Sequence, residues 1–264
     1  MIKLPNKLSE FDNYVNKPFC IFEKKNFLEE SLYNQLRDAF PSEDLFPGIH
    51  SNGKKIFLNN RHLEFYKFIN KNIWGDFYDY FNKKEACLRL INLIRDELNN
   101  IENRKKKKDF FFIKNYQNNL YQKIIKKILQ SFNTNSVRLG FEFSVIKKNC
   151  FIPPHCDTEN KLLSLMVYFP PKEEDNLFEN YKNIGTNFYK ISSAVSKNFD
   201  VWESEYLDHK SSKSFFENYE LFYQSKFEKN KLTGFIKNDK SWHDVKEFND
   251  NLIRKSLNIN LFII

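Results

Sequence analysis

The chain has only four cysteines in 264 residues, Cys20, Cys87, Cys150 and Cys156, and they form neither a CxxC pair nor a zinc-ligand spacing. A disulfide-built scaffold and a cysteine-ligated zinc domain are therefore excluded, and a reduced, cytoplasmic setting is expected. No uninterrupted apolar run approaches membrane-spanning length, so no membrane partner is expected. Met1–Pro5 is too short and too polar for a secretory apolar region. No internal repeat is present, which sets aside solenoids and propellers.

What is present is a soluble, globular composition: 41% hydrophobic residues and 17% aromatic ones, 29 of them Phe. The core should be rich in aromatic rings. At this length the chain is either one large domain or a catalytic domain with a helical extension. A net charge of +8 and a pI near 9.1 invite a nucleic-acid reading. However, the lysines are scattered among Asn, Ile and Phe. The one dense basic run, Arg104–Lys108, adjoins the polar Asn99, Asn100 and Asn103. It reads as a solvated linker, and nucleic acid is not the expected partner.

Along the chain, Pro18–Glu23 reads as a short strand running into Asn26 as a helix N-cap, with Glu29 and Glu30 in the first turn. Leu28, Leu32, Leu36, Ala39 and Phe40 recur at helical spacing until Pro41. Ser42–Asn60 reads as a loop, with turn signals at Pro47-Gly48 and Asn52-Gly53. Leu63 to about Asn103 is mostly helical with a break near Trp74-Gly75, and a further helix is expected over Tyr116–Phe132. After Asn133 the period changes to two: Val137, Leu139, Phe141, Phe143 and Val145 alternate with polar neighbours. More strands are expected at Phe151–His155, Leu162–Phe169, Thr186–Ile191, Tyr219–Phe227, Lys231–Ile236 and Ser256–Ile264. The polar Ser192–Ser214 segment looks like an insertion over one mouth of an antiparallel sandwich or barrel.

Chemistry concentrates in three places. His155 and Asp157 are two residues apart, so on an extended strand both side chains project from one face. The rigid Pro153-Pro154 lead-in would position them as metal ligands. A loop histidine and a turn aspartate are the plain alternative. For a third ligand the candidates are His209 and His243. His209 lies in the polar insertion between Asp208 and Lys210, where an exposed role is expected. His243 follows Trp242 between two strands and has an arginine eleven residues on, Arg254. With Ser256 two residues later, Arg254 offers a guanidinium fork and a hydroxyl on one strand face, a pair suited to a carboxylate. His50 and His62 show no partner and read as structural or exposed. His155, Asp157 and His243 would then make a two-His-one-carboxylate facial triad for non-heme Fe(II).

The order His155-Cys156-Asp157, His243, Arg254-Lys255-Ser256 resembles the HxD…H…RxS signature of Fe(II)/2-oxoglutarate-dependent oxygenases, and most of all their prolyl-hydroxylase-like branch. Pro18–Glu23 with the following helix and Pro41, Pro154–Thr158 with Lys161–Pro170, Gly185–Tyr189 and Asn238–His243 are similar to segments of that branch. One departure is Cys156, where that family often carries Thr or a similar residue. Its central position points away from the metal.

The resemblance implies an α+β fold with a mainly β core. The core would be a double-stranded β-helix of jelly-roll or cupin-like type, with N-terminal helices packed on one sheet. Residues 1–132 would be an N-terminal strand and helical support region, and 133–264 the catalytic core, together one compact unit. It implies Fe(II) held by His155, Asp157 and His243, 2-oxoglutarate bound through Arg254 and Ser256, O2 as oxidant and ascorbate as a candidate reductant. The implied reaction hydroxylates a small molecule or a protein side chain and releases succinate and CO2. Two other classes stay open: a cupin-like metal-dependent hydrolase or isomerase, and a non-catalytic basic binding module.

Overall fold

Two periodicities divide the chain. A helical period before residue 100 gives short helices, and a period of two after residue 135 gives long antiparallel strands. The computed structural model describes residues 2–49, 53–101, 110–114, 135–172, 184–192, 209–248 and 251–263. Their strands are β1 (Asn13–Val15), β2 (Ile21–Lys24), β3 (Gly48–Ile49), β4 (Ile56–Asn59), β5 (Phe110–Phe112), β6 (Asn135–Ile146), β7 (Ile152–His155), β8 (Lys161–Tyr168), β9 (Thr186–Ile191), β10 (Tyr219–Ser225), β11 (Leu232–Ile236), β12 (His243–Val245) and β13 (Arg254–Ile263). The α-helices are α1 (Glu30–Asp38), α2 (Leu63–Ile69), α3 (Trp74–Phe81), α4 (Lys84–Asn99) and α5 (His209–Asn218). None is long and apolar enough to cross a membrane.

The larger sheet has the order β1-β2-β11-β8-β13-β6-β4-β3, antiparallel throughout, and β5 adds to β6 in parallel. The smaller sheet is β10-β9-β12-β7, also antiparallel. The larger sheet is covered on both faces. On one face Leu139, Phe143, Leu165 and Ile259 share a core with Leu36 of α1, Phe65 of α2, Trp74 of α3 and Ile94 of α4. The predicted aromatic interior is here: the Phe143 ring meets Trp74 edge-on at 4.8 Å and Phe40 at 5.4 Å. On the other face Ile21, Ile146, Met166 and Phe235 meet Phe188 and Val245 of the smaller sheet. Burying each such ring contributes about 1.5–3 kcal/mol.

Three expectations are corrected. Asn26 does not cap α1: it has a left-handed φ of 47°, and Glu29 stands at the cap position without a side-chain capping bond to the helix. Core packing overrides the cap, because Phe27 and Leu28 are fully buried and their N–H groups donate to the carbonyl and the side chain of Asn230. Ser42–Asn60 is not wholly loop, since it contains the β3–β4 hairpin, and β4 pairs with β6. The helical break expected near Trp74-Gly75 is present at residues 70–73, just before Trp74 opens α3. The helical stretch is not otherwise continuous: a second break, not expected, follows at 82–83. The helix expected at Tyr116–Phe132, the run Arg104–Lys108, His50 and residues 193–208 of the expected insertion lie outside the described residues.

Candidate metal centre and its cavity

The proline pair Pro153-Pro154 forms part of β7, which ends on His155, and β12 begins on His243. Antiparallel pairing of these two short strands puts His243 directly opposite His155, with ring centroids 4.1 Å apart. Asp157, two residues on, places Oδ2 4.0 Å from His243 Nε2. One ligand atom from each of the three residues lies within 4.8 Å of the others. Both histidines are buried. The sequence-predicted triad is thus brought together. His209, the rejected candidate, opens α5.

The hydrogen bonds prepare these groups as ligands. His155 Nδ1 lies 3.0 Å from the Pro153 carbonyl and His243 Nδ1 2.9 Å from the Ser241 carbonyl. A carbonyl oxygen only accepts, so each Nδ1 carries the proton and donates, leaving the Nε2 lone pair free. Burial, and for His155 the charge of His243, pushes both imidazoles below their usual pKa despite Asp157, which keeps them in the neutral, metal-binding form. Burial opposes the charge on Asp157, but the ammonium of Lys161, by its charge and its hydrogen bond, outweighs it and holds the carboxyl well below the usual range. Lys161 Nζ donates to Asp157 Oδ1 at 2.6 Å and Ser164 Oγ donates to Oδ2 at 3.1 Å. The intervening Cys156 turns away, its thiol donating to the Asn238 carbonyl at 3.2 Å. The residue set therefore fits a divalent cation: two neutral imidazoles and one ionised carboxylate, each oriented by a second partner.

Arg254 is fully buried at the start of β13 and has no acidic partner among the described residues. Its Nε donates to the Ile184 carbonyl at 2.9 Å and Nη2 to Thr186 Oγ1 at 3.2 Å, while Ser256 Oγ is 3.5 Å from Nη1. The guanidinium lies 5.1 Å from the Tyr168 ring centroid. Gly185 makes this seat possible, because a Cβ there would come within 1.5 Å of the Ser225 carbonyl oxygen. The buried Asp244 carboxyl, beside His243, is pushed up to about 6: burial outweighs the hydrogen bonds donated by Asn187 at 2.7 Å and Tyr189 at 2.9 Å. Those bonds tie β12 to β9.

A cavity of about 510 Å³ joins these parts, running past Arg254, Thr186, the triad and Lys161 to a rim at Arg61 and Arg138. Of the residues singled out from the sequence, the triad and Arg254 line this cavity and Ser256 lies beside Arg254. Lys161, Ser164, Thr186 and Arg138 line it as well and were not singled out. Arg138 carried a signal, since it shares the polar phase of β6 with Glu142 and Ser144, whereas Ser164 is a single polar residue among Leu162, Met166 and Tyr168 on its face of β8. His62 is structural, as expected: its Nδ1 accepts the Asn59 backbone N–H at 3.2 Å.

No family model matches the chain, and no curated protein matches it. Among solved structures it is similar to a Pseudomonas putida prolyl-4-hydroxylase, with TM-score 0.44, 10% identity, and 93% of each chain covered. A prolyl hydroxylase from Trichoplax adhaerens, in complex with a hypoxia-inducible-factor peptide, aligns with TM-score 0.44 and 10% identity over 92% of this chain and 83% of that one. The epimerase SnoN of nogalamycin biosynthesis, solved with Fe3+, α-ketoglutarate and nogalamycin RO, aligns with TM-score 0.46 and 9% identity over 92% and 78%.

Proposed function

We propose that the chain is an Fe(II)- and 2-oxoglutarate-dependent dioxygenase of the prolyl-hydroxylase-like branch, hydroxylating its substrate with release of succinate and CO2. One observation carries the reading. Two Nε2 atoms and one carboxylate, each oriented from behind, converge in a cavity that also holds a buried arginine with no acid beside it among the described residues. The strand order supports it too: β11-β8-β13-β6 and β10-β9-β12-β7 fit a double-stranded β-helix, for which residues 1–132 would be the support.

His155, Asp157 and His243 would hold the iron through Nε2, a carboxylate oxygen and Nε2. Bound there, Fe(II) would supply the redox chemistry that couples oxidative decarboxylation of 2-oxoglutarate by O2 to oxidation of a substrate C–H bond. The protein's own part is orientation. Lys161 and Ser164 hold the Asp157 carboxylate, and the two backbone carbonyls fix the imidazoles. Arg254 and Ser256 receive the distal carboxylate of the keto acid, the arginine by a charge-assisted bond. Phe235, 4.6 Å from the His243 ring, and the buried Phe188 close that side of the centre to water. A cupin-like hydrolase or isomerase would have no use for Arg254 in this setting.

The test is succinate formation from 2-oxoglutarate by anaerobically reconstituted Fe(II) protein on admitting air, with ascorbate and a panel of metabolites and peptides. The wild type should form succinate, and His155→Ala and Asp157→Ala should form none. Turnover that survives His155→Ala defeats the proposal, and so does a wild type that never consumes the keto acid.

A further inference from the structure

The rim of the cavity carries charge that the metal centre does not use. Residues of one face of β6 and β13 pair in file, Ser144 with Ser256, Glu142 with Asn258, Gly140 with Asn260, and Arg138 with Phe262, and all but Ser256 line the cavity. Ser164 bonds both Asp157 and Asn260, so the metal centre stands level with the Gly140–Asn260 pair. Arg138 and Phe262 lie one pleat further out, roughly 7 Å. The segment after β4 brings Arg61 to the same place, where its charge bears on Arg138.

The other charges of the cavity are accounted for. Lys55 pairs with Glu142 at 2.7 Å and Lys161 with Asp157 at 2.6 Å, and Arg254 awaits the keto acid. Arg61 and Arg138 have no acidic partner among the described residues, and no side-chain N–H of Arg138 meets an acceptor there. Arg138 is half-buried, its guanidinium 5.6 Å from the Phe262 ring centroid. That ring lies against Gly140, where a Cβ would come within 2.7 Å of it. Arg138, half-buried within reach of the like charge of Arg61 and without a counter-ion among the described residues, is unfavourable alone, and an oxyanion relieves it.

The geometry points to an oxyanion subsite at Arg138 and Arg61 that holds the carboxylate or phosphate of the substrate one pleat beyond the metal centre. As a substrate subsite it rests on the oxygenase reading, whereas as an anion site it does not. The substrate is then an organic acid or a phosphate monoester, oxidised at a carbon several bonds from its anionic group.

The experiment titrates inorganic phosphate and, separately, acetate into the full metal-free chain at low ionic strength by calorimetry, for wild type, R138Q and R61Q. Wild type should bind at least one of the two anions. Preference for phosphate indicates a phosphate ester, and comparable acetate binding indicates a carboxylic acid. Each variant should weaken that binding about tenfold or more, and added salt should weaken it in the wild type. Arg61 is exposed, so R61Q keeps the test decisive should R138Q fail to fold. Absence of binding to wild type, or wild-type affinity in a folded variant, overturns the subsite. The visible absorbance of anaerobic Fe(II) and 2-oxoglutarate bound to the wild type is recorded in parallel. Its absence defeats the metal reading while the anion titration stands on its own result.

Discussion

Lys161→Met tests how the Asp157 carboxylate is held. The pair is nearly enclosed, with side chains 14% and 10% exposed and Nζ 2.6 Å from Oδ1. At an effective dielectric near 20, the gross attraction at that distance is about 6 kcal/mol. Desolvation of both ions offsets part of it, leaving a coupling of roughly 2–4 kcal/mol. In the metal-free protein, Lys161→Met strands a buried carboxylate and should cost about 3–5 kcal/mol. The same change in an Asp157→Asn background should cost far less. Urea denaturation of wild type, both single variants and the double variant closes the cycle. A coupling below about 0.5 kcal/mol would place the pair with ordinary surface ion pairs and refute the argument. A second readout follows from charge. A divalent cation replaces the lost ammonium, so saturating Mn(II) should raise Tm at least as much in Lys161→Met as in wild type.

Arg254→Gln should raise the KM for 2-oxoglutarate by about 10- to 100-fold, because it removes a charge-assisted bond, and a succinate assay across keto-acid concentration reads the change. Gly185→Ala forces a methyl into the Ser225 carbonyl oxygen. It should destabilise the fold by about 1–3 kcal/mol or more in urea and also raise that KM, since the adjacent Ile184 carbonyl holds Arg254. Burial lowers the folded-state pKa of His155 and His243, so below about 6.5 the unfolded chain binds more protons and stability falls as pH falls. Metal-free wild type should therefore lose urea resistance between about pH 6.5 and 5 more steeply than a His155→Gln/His243→Gln variant, by at most about 1.4 kcal/mol per pH unit for each histidine. Equal slopes would show that the imidazoles are not held neutral by burial.

How much of this was readable from residues alone depends on where each instruction is written. His155 and Asp157 share a face through covalent spacing, and Arg254 and Ser256 do likewise on β13, so both pairs were legible. The long strands β6 and β13 were legible for the same reason, since their apolar phase repeats over many residues. β4 was not. Its four residues, Ile56–Asn59, become a strand by pairing with β6, more than 80 residues away. The Asn26 cap failed similarly, because the competing partner is Asn230.

The missed site residues have subtler causes. Ser164 and Thr186 share their phase with buried apolar residues, Met166 and Tyr168 or Phe188. Arg138 instead sits on a strand whose other phase packs into a core, and sequence alternation assigns such a polar phase to solvent. That assignment holds for a single sheet with one wet face. Here the smaller sheet covers the wet face of the larger one, and the polar phase becomes the wall of a cavity. Once β7 and β12 bring His155 opposite His243, each polar residue on that phase stands at a set height above or below the triad. Ser164 meets Asp157, Thr186 meets Arg254 and Arg138 stands at the rim. The alternation of β6 therefore carried one wall of the cavity, and closure of two sheets carried its assembly. A sequence reading that treats the polar phase of every long strand in such a fold as cavity-facing would have named Arg138, Glu142 and Ser144 of β6 together with the triad, though not Ser164 or Thr186.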